Sequence, residues 1–177
     1  MSANIVLLRS SPRAGGNTDA LADAFLVGAK GKHVTQIRVA DFKIGGCKGC
    51  GYCFEHDHVC VQRDDMAQIL DALRDADAIA LASPVYFFGM TAQLKLVIDR
   101  IYALLGGGMN IKRAALLLTC GNIDESVADA TIAHFRAMSA YLKWQEAGIV
   151  TVPHLHEPKA IAGNPRLADA ERIGREI

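Results

Sequence analysis

Asn4-Ile5-Val6-Leu7-Leu8-Arg9-Ser10-Ser11-Pro12-Arg13-Ala14-Gly15-Gly16-Asn17-Thr18 is the stretch on which the fold turns. Asn4–Ser10 reads as a buried strand with four consecutive large apolar side chains. Ser11–Gly16 is a turn built on Pro12, Gly15 and Gly16. A helix follows from Thr18 to Lys30, because Leu21, Ala22, Phe25, Leu26 and Ala29 share one face at a period of 3.6. Asn17 or Thr18 can cap its start. A strand that runs through a hydroxyl- and glycine-rich turn into a helix presents the free N–H groups of a helix start, which together with the helix dipole suit a phosphate. Ser11, Asn17 and Thr18 can add hydrogen bonds, and Arg13 a charge-assisted one. The loop is neither G-x-G-x-x-G nor a Walker loop, so a terminal monophosphate suits it better than a dinucleotide or a triphosphate. An ordinary capped loop is the competing reading.

The same alternation continues outward. Val34–Ala40 reads as a strand, Asp41–Arg63 as an irregular excursion and Asp64–Ala76 as a helix whose first turn carries two carboxylates. Ala78–Ser83 is a strand and Pro84–Met90 a loop. Thr91–Leu105 is a helix, Arg113–Cys120 a strand, Glu125–Leu142 a helix, Glu146–Val152 a strand, and a short helix runs from Pro165 to Arg175. Five strands separated by helices predict one α/β domain over 1–177: a three-layer, five-stranded parallel sheet with helices on both faces. Such sheets bind ligands beyond the carboxyl ends of their strands. Two more segments stand there. Ser83-Pro84-Val85-Tyr86-Phe87-Phe88-Gly89-Met90-Thr91 holds three consecutive aromatics and can line a slot for a flat ring, or Phe87 and Phe88 can pack into the core. Thr119-Cys120-Gly121-Asn122 can cover the other side of that slot, with Cys120 a small buried hydrophobe.

Ser11–Thr18 resembles the S-P-R-x-x-G-N-T phosphate loop of the NAD(P)H-dependent FMN reductases, a branch of the flavodoxin-like fold. Pro84-Val85-Tyr86-Phe87, with Ala92-Gln93-Leu94-Lys95 and Ile98-Asp99-Arg100 after it, resembles that family's second flavin loop and following helix. The resemblance implies a flavodoxin-like fold, with Ser11, Arg13, Asn17 and Thr18 at the FMN phosphate. It implies Pro84, Val85, Tyr86 and Phe87 beside the isoalloxazine ring, and Thr119, Cys120 and Gly121 as a third contact. The flavin is then the catalyst, with no general acid or base to nominate, NAD(P)H as donor and an unidentified acceptor. Relatives commonly pair as homodimers, and the Phe87-Phe88 loop suits that contact. Two departures stand out: Ser10, where the family usually has Gly, and the doubled aromatic ahead of Gly89.

Cys47, Cys50, Cys53 and Cys60 form C-x2-C-x2-C-x6-C. The first three resemble the bacterial ferredoxin run that holds a cubane cluster. The whole pattern also resembles the iron–sulfur flavoproteins, which relay electrons between a [4Fe-4S] cluster and FMN and imply a ferredoxin-like protein partner. Zinc, with four thiolates or with His56 or His58, and free thiols are the alternatives. His33, His134, His154 and His156 read as surface or satisfied core residues, and Asp99 and Arg100 as helix-face charges.

Composition narrows the rest. Nineteen Lys and Arg balance nineteen Asp and Glu with no long run of either sign, which argues against a nucleic-acid surface or a polybasic membrane patch. No apolar run nears the roughly 20 residues of a membrane helix. Met1–Leu8 lacks the features of a signal peptide. A cytoplasmic location is the expectation, and with it metal or redox chemistry for the five cysteines rather than a disulfide framework.

Overall fold

A computed structural model describes residues 3–177; the first two residues of the Met1–Leu8 segment lie outside it. Strands β1 (Asn4–Arg9), β2 (His33–Arg38), β3 (Ala78–Pro84), β4 (Arg113–Thr119) and β5 (Gln145–Val152) form one sheet in the order β2-β1-β3-β4-β5, parallel throughout. The helices are α1 (Asn17–Gly28), a single turn α2 (Tyr52–Glu55), α3 (Met66–Arg74), α4 (Ala92–Arg100), α5 (Asp129–Leu142) and α6 (Arg166–Glu176).

Alternate side chains of each strand enter opposite cores. Ile5 and Leu7 of β1, with Ala78, Ala80 and Ala82 of β3, pack under Leu21 and Phe25 of α1 and Ile173 of α6. Val6 and Leu8, with Ile79 and Leu81, pack under Leu70 and Leu73 of α3, Leu94 and Val97 of α4 and Phe135 of α5. Burial on both faces explains why these strands read as continuous apolar runs rather than alternating ones.

Several boundaries differ from the pattern-based reading. The expected Thr91–Leu105 helix is α-helical only to Arg100 and closes in a 3-10 turn over Ile101–Leu104, a tightening usual at helix ends. The expected Glu125–Leu142 helix begins with a 3-10 turn over Glu125–Ala128, where Asp124 Oδ1 accepts from Ser126 N at 2.9 Å, before α5 proper. The excursion at Asp41–Arg63 contains the turn α2. Neither Asn17 nor Thr18 caps α1: Gly16 holds that position, with no side-chain cap.

The amino ends of the strands are laced by backbone bonds, Asp77 N to Asn4 O, Lys112 N to Asp77 O and Gln145 N to Lys112 O, each 2.8 Å. The carboxyl ends open into loops, and both candidate sites lie on those loops.

Candidate functional site

Three loops that follow β1, β3 and β4 converge on one cavity of about 240 Å³. The first contributes Ser11, Arg13, Gly16, Asn17 and Thr18, the second Pro84, Val85 and Tyr86, and the third Thr119, Cys120 and Gly121. Ten of the eleven residues nominated for FMN contact therefore line a single space. Phe87 does not.

An ionic network centred on the buried Asp19 shapes the first loop. Asp19, 5 % exposed, accepts from Gly15 N at 2.7 Å and from Arg38 Nη1 at 3.1 Å, with Arg9 Nη1 at 3.8 Å. Arg38 Nη2 donates to Ser11 O at 3.2 Å. Ser11 Oγ accepts from Arg13 N at 3.2 Å, which closes the turn. Gly15 sits at φ +65°, and a Cβ on Gly16 would meet Arg13 O at 3.3 Å. Because no side chain caps α1, its first N–H groups remain available at the cavity wall, a ready-made anion site. Ser10, where the resemblance leads to an expectation of Gly, is sealed away: its N donates to Ala82 O at 2.9 Å and its Oγ to the same oxygen at 3.0 Å.

Two nominated side chains have partners within the fold. Thr18 Oγ1 and Thr119 Oγ1 lie 2.7 Å apart and tie the first loop to the third. Asn17 Nδ2 donates to Glu157 O at 2.9 Å, and its Oδ1 accepts from Ile161 N at 3.3 Å. Asn17 thus anchors the segment after β5, which delivers Leu155 and His156 to the cavity. Reading His156 as surface or core missed this. The clue was its place beyond the carboxyl end of β5, at the edge where the other loops gather. A Cβ on Gly121 would stand 3.3 Å from His156 Nδ1, so the glycine admits that ring.

The second loop is a tight hairpin: Tyr86 N donates to Gly89 O at 2.9 Å and Gly89 N to Tyr86 O at 3.0 Å. Its two central residues, Phe87 at φ +46° and Phe88 at φ +62°, are both left-handed, as a primed turn demands. Phe87 is fully exposed and Phe88 60 % exposed, so neither packs into the core and Phe87 projects clear of the cavity. Both border a second groove of about 180 Å³ with Asn122 and Val127, which shares Val85, Cys120 and Gly121 with the first. Cys120 is buried, and burial pushes its thiol up, as expected of an inert packing residue.

The four other cysteines ring a smaller cavity of about 20 Å³. Cys47 and Cys50 are exposed, Cys60 half-buried and Cys53 buried. Burial raises the Cys53 thiol, and Cys60, Cys50 and Cys47 push it the same way. Among the described residues no three Cys, His, Asp or Glu side chains stand close enough to hold a metal ion, so the loop encircles a space without drawing its sulfurs together. The donors fit a thiophilic centre in number and softness, and a buried cation, Arg100, lines the same cavity. The histidine variant of a zinc site fits less well. His56 Nδ1 is 2.9 Å from Tyr52 O, His58 Nδ1 is 3.0 Å from Ala103 O, and neither ring lines the cavity. Arg100 corrects the helix-face reading: it is 2 % exposed and forms two bonds to Asp64. Asp99 does lie on the surface, 2.6 Å from Lys95.

A family model described as NADPH-dependent FMN reductase matches residues 3–154. An iron-sulfur flavoprotein of Archaeoglobus fulgidus is 42 % identical over 93 residues, 51 % of this chain and 42 % of that protein. One from Methanocaldococcus jannaschii is 39 % identical over 98 residues, 54 % of this chain and 50 % of that protein. The chain spans about half the length of the curated relatives it matches. Among solved structures, an NAD(P)H:quinone oxidoreductase from Methanothermobacter marburgensis superposes with a TM-score of 0.76 at 18 % identity, covering 99 % of this chain and 96 % of that one. That likeness concerns the fold. No helix among the described residues is long and apolar enough to cross a membrane.

Proposed function

The chain belongs to the NADPH-dependent FMN reductase family, and from that premise we propose that it is an enzyme that binds FMN in the three-loop cavity and passes electrons from NAD(P)H through it to an acceptor. The convergence of the three loops on one cavity beside an uncapped helix start carries this reading. Bound FMN would supply the hydride acceptance and electron release that no side chain offers. The chain's own part is to bind and orient. The first N–H groups of α1 and Arg13 hold the phosphate, with Ser11, Asn17 and Thr18 shaping its loop. Pro84, Val85 and Tyr86 flank the ring on one side, and Thr119, Cys120 and Gly121 on the other. The charge-free groove at Phe87, Phe88, Asn122 and Val127 leaves room for the second reactant against the same wall.

Equilibrium titration with FMN, followed by anaerobic mixing with NADH or NADPH, tests this. Stoichiometric FMN binding and bleaching of the flavin by either nucleotide are expected; a chain that ignores added FMN sinks the proposal. Arg13→Ala is expected to weaken FMN by about 1.5–3 kcal/mol, the range for a hydrogen bond to a charged group. A homodimer joined in part through the exposed Phe87-Phe88 hairpin is also proposed, and a monomer by light scattering with FMN bound contradicts it.

A second reading has its own support: relatives named iron-sulfur flavoproteins, and four cysteines around one cavity. In it Cys47, Cys50, Cys53 and Cys60 hold a [4Fe-4S] cluster, and the acceptor or donor is a protein carrier of the ferredoxin kind. Iron and sulfide counts on protein purified without oxygen, with its visible spectrum, separate the two readings. Flavin bands without iron favour the simple reductase with free thiols or zinc.

A further inference from the structure

Arg100 is the only buried cation among the described residues. It stands at the end of α4, on the wall of the cysteine cavity. Its Nη1 donates to Gly45 O at 2.8 Å and Asp64 Oδ2 at 2.9 Å, and its Nη2 to Asp64 Oδ1 at 3.0 Å. Its Nε is equally buried and has no partner. Cys60 lies close enough to act on this guanidinium electrostatically.

The pair does more than neutralise itself. Asp64 Oδ2 also accepts from Gly45 N at 2.9 Å, Gln62 Nε2 donates to Gly46 O at 3.0 Å, and Lys43 N donates to Asp65 Oδ2 at 2.7 Å. The two stems of the excursion, 43–46 and 62–65, are therefore cross-tied and bound to α4 through Arg100. All four cysteines lie between the ties. Between the ties the backbone turns at Gly49, φ +62°, and Gly51, φ +71°, where a Cβ would meet nothing within 4 Å. A buried polar group without a partner is uncommon and calls for an acceptor. The groups lining this cavity that can become anionic acceptors are its four thiols and the Tyr102 phenol, and of these Cys60 is the one that acts on Arg100.

We propose that Arg100 is the positioning residue of a thiolate-bound iron–sulfur centre on Cys47, Cys50, Cys53 and Cys60, donating its Nε–H toward the Cys60 sulfur and offsetting part of the charge the four thiolates bring. This rests on the second reading above. Adding an electron to such a centre adds negative charge, which a nearby cation favours and a nearby anion opposes. Removing Arg100 lowers the reduction potential, and removing the charge of Asp64 raises it.

The test uses the FMN-bound full chain, reconstituted without oxygen with ferrous iron and sulfide, and a potentiometric titration followed by electron paramagnetic resonance. Arg100→Gln is expected to retain iron and shift the reduction equilibrium tenfold or more, about 59 mV for one electron, toward the oxidised form. Asp64→Asn is expected to shift it in the opposite direction. Opposite signs distinguish electrostatics from a loosened clasp, which would move both variants alike. Unchanged potentials, or shifts of the same sign, overturn the proposal. If Arg100→Gln does not fold, Asp64→Asn decides alone: a raised potential supports the proposal and an unchanged or lowered one ends it. A wild-type chain that takes up no iron overturns the cluster reading itself, and the iron count identifies that failure.

Discussion

Asp19 shows how one buried residue can govern a surface loop. Its carboxylate occupies Gly15 N–H and grips Arg38, which in turn holds the Ser11 carbonyl. The loop is set before any ligand arrives, so little ordering is left to binding. Asp19→Asn is expected to weaken FMN by about 1.5–3 kcal/mol, while riboflavin, which lacks the phosphate, changes far less. Parallel titrations of the two flavins check this; equal losses for both indicate a general loosening. Asp64 makes a pH statement. Burial alone would raise its carboxyl, yet the Arg100 hydrogen bonds and the Gly45 and Met66 N–H groups hold it below its ordinary 3.8. Because the folded value is depressed, the stabilisation is complete above about pH 3.8 and drains as pH falls through the lower folded value. Denaturant melts from pH 5 down to 2 are expected to fall less steeply in Asp64→Asn than in wild type. Little of this was legible in advance. Asp64 reads as a dipole charge and Arg100 as a helix-face charge, and nothing in the local sequence singles out Asp19, because burial of a charged side chain depends on partners distant in the chain.

Elements were more legible than their ends. The apolar runs at Ile5–Leu8, Ile79–Ala82 and Ala114–Leu118 mark strands buried on both sides, and the 3.6 spacing of Leu94, Val97 and Ile101 marks α4 and the turn that closes it. α4 tightens into its 3-10 turn just past the buried Arg100, and no local signal announces it. The aromatic hairpin was the least legible. Two consecutive bulky residues at positive φ each cost about 1–3 kcal/mol, yet the burial that would offset the cost is missing, since both rings face outward. Thr131 Oγ1 donating to Phe88 O at 2.9 Å is one of the few ties that hold the turn. Asparagine tolerates this conformation better than phenylalanine. Phe87→Asn is expected to gain about 1 kcal/mol, raising the melting temperature by about 2–4 °C, while weakening the proposed homodimer. Calorimetry and light scattering on one preparation would show whether the two effects part in this way.

At the level of the whole molecule, strand number and direction followed from alternation, while the order β2-β1-β3-β4-β5 emerges only from which strands pair in the structure. The crossing of α1 and α6 was hidden. A Cβ on Gly28 would lie 1.8 Å from Glu171 O, and one on Gly174 2.1 Å from Phe25 O. In both cases the obstacle is backbone, which cannot swing aside. Gly174→Ala is expected to cost about 1–3 kcal/mol or more, lowering the melting temperature by about 2–4 °C per kcal/mol, with the proposed flavin site unchanged at the far edge of the sheet. The laced amino ends of the strands, at Asn4, Asp77, Lys112 and Gln145, have a further use. They lie at the end of the sheet opposite the loops. A protein wired to an electrode or a resin through that end would stand upright, with the loops of the proposed flavin site toward solution and every molecule presenting the same distance to the conductor.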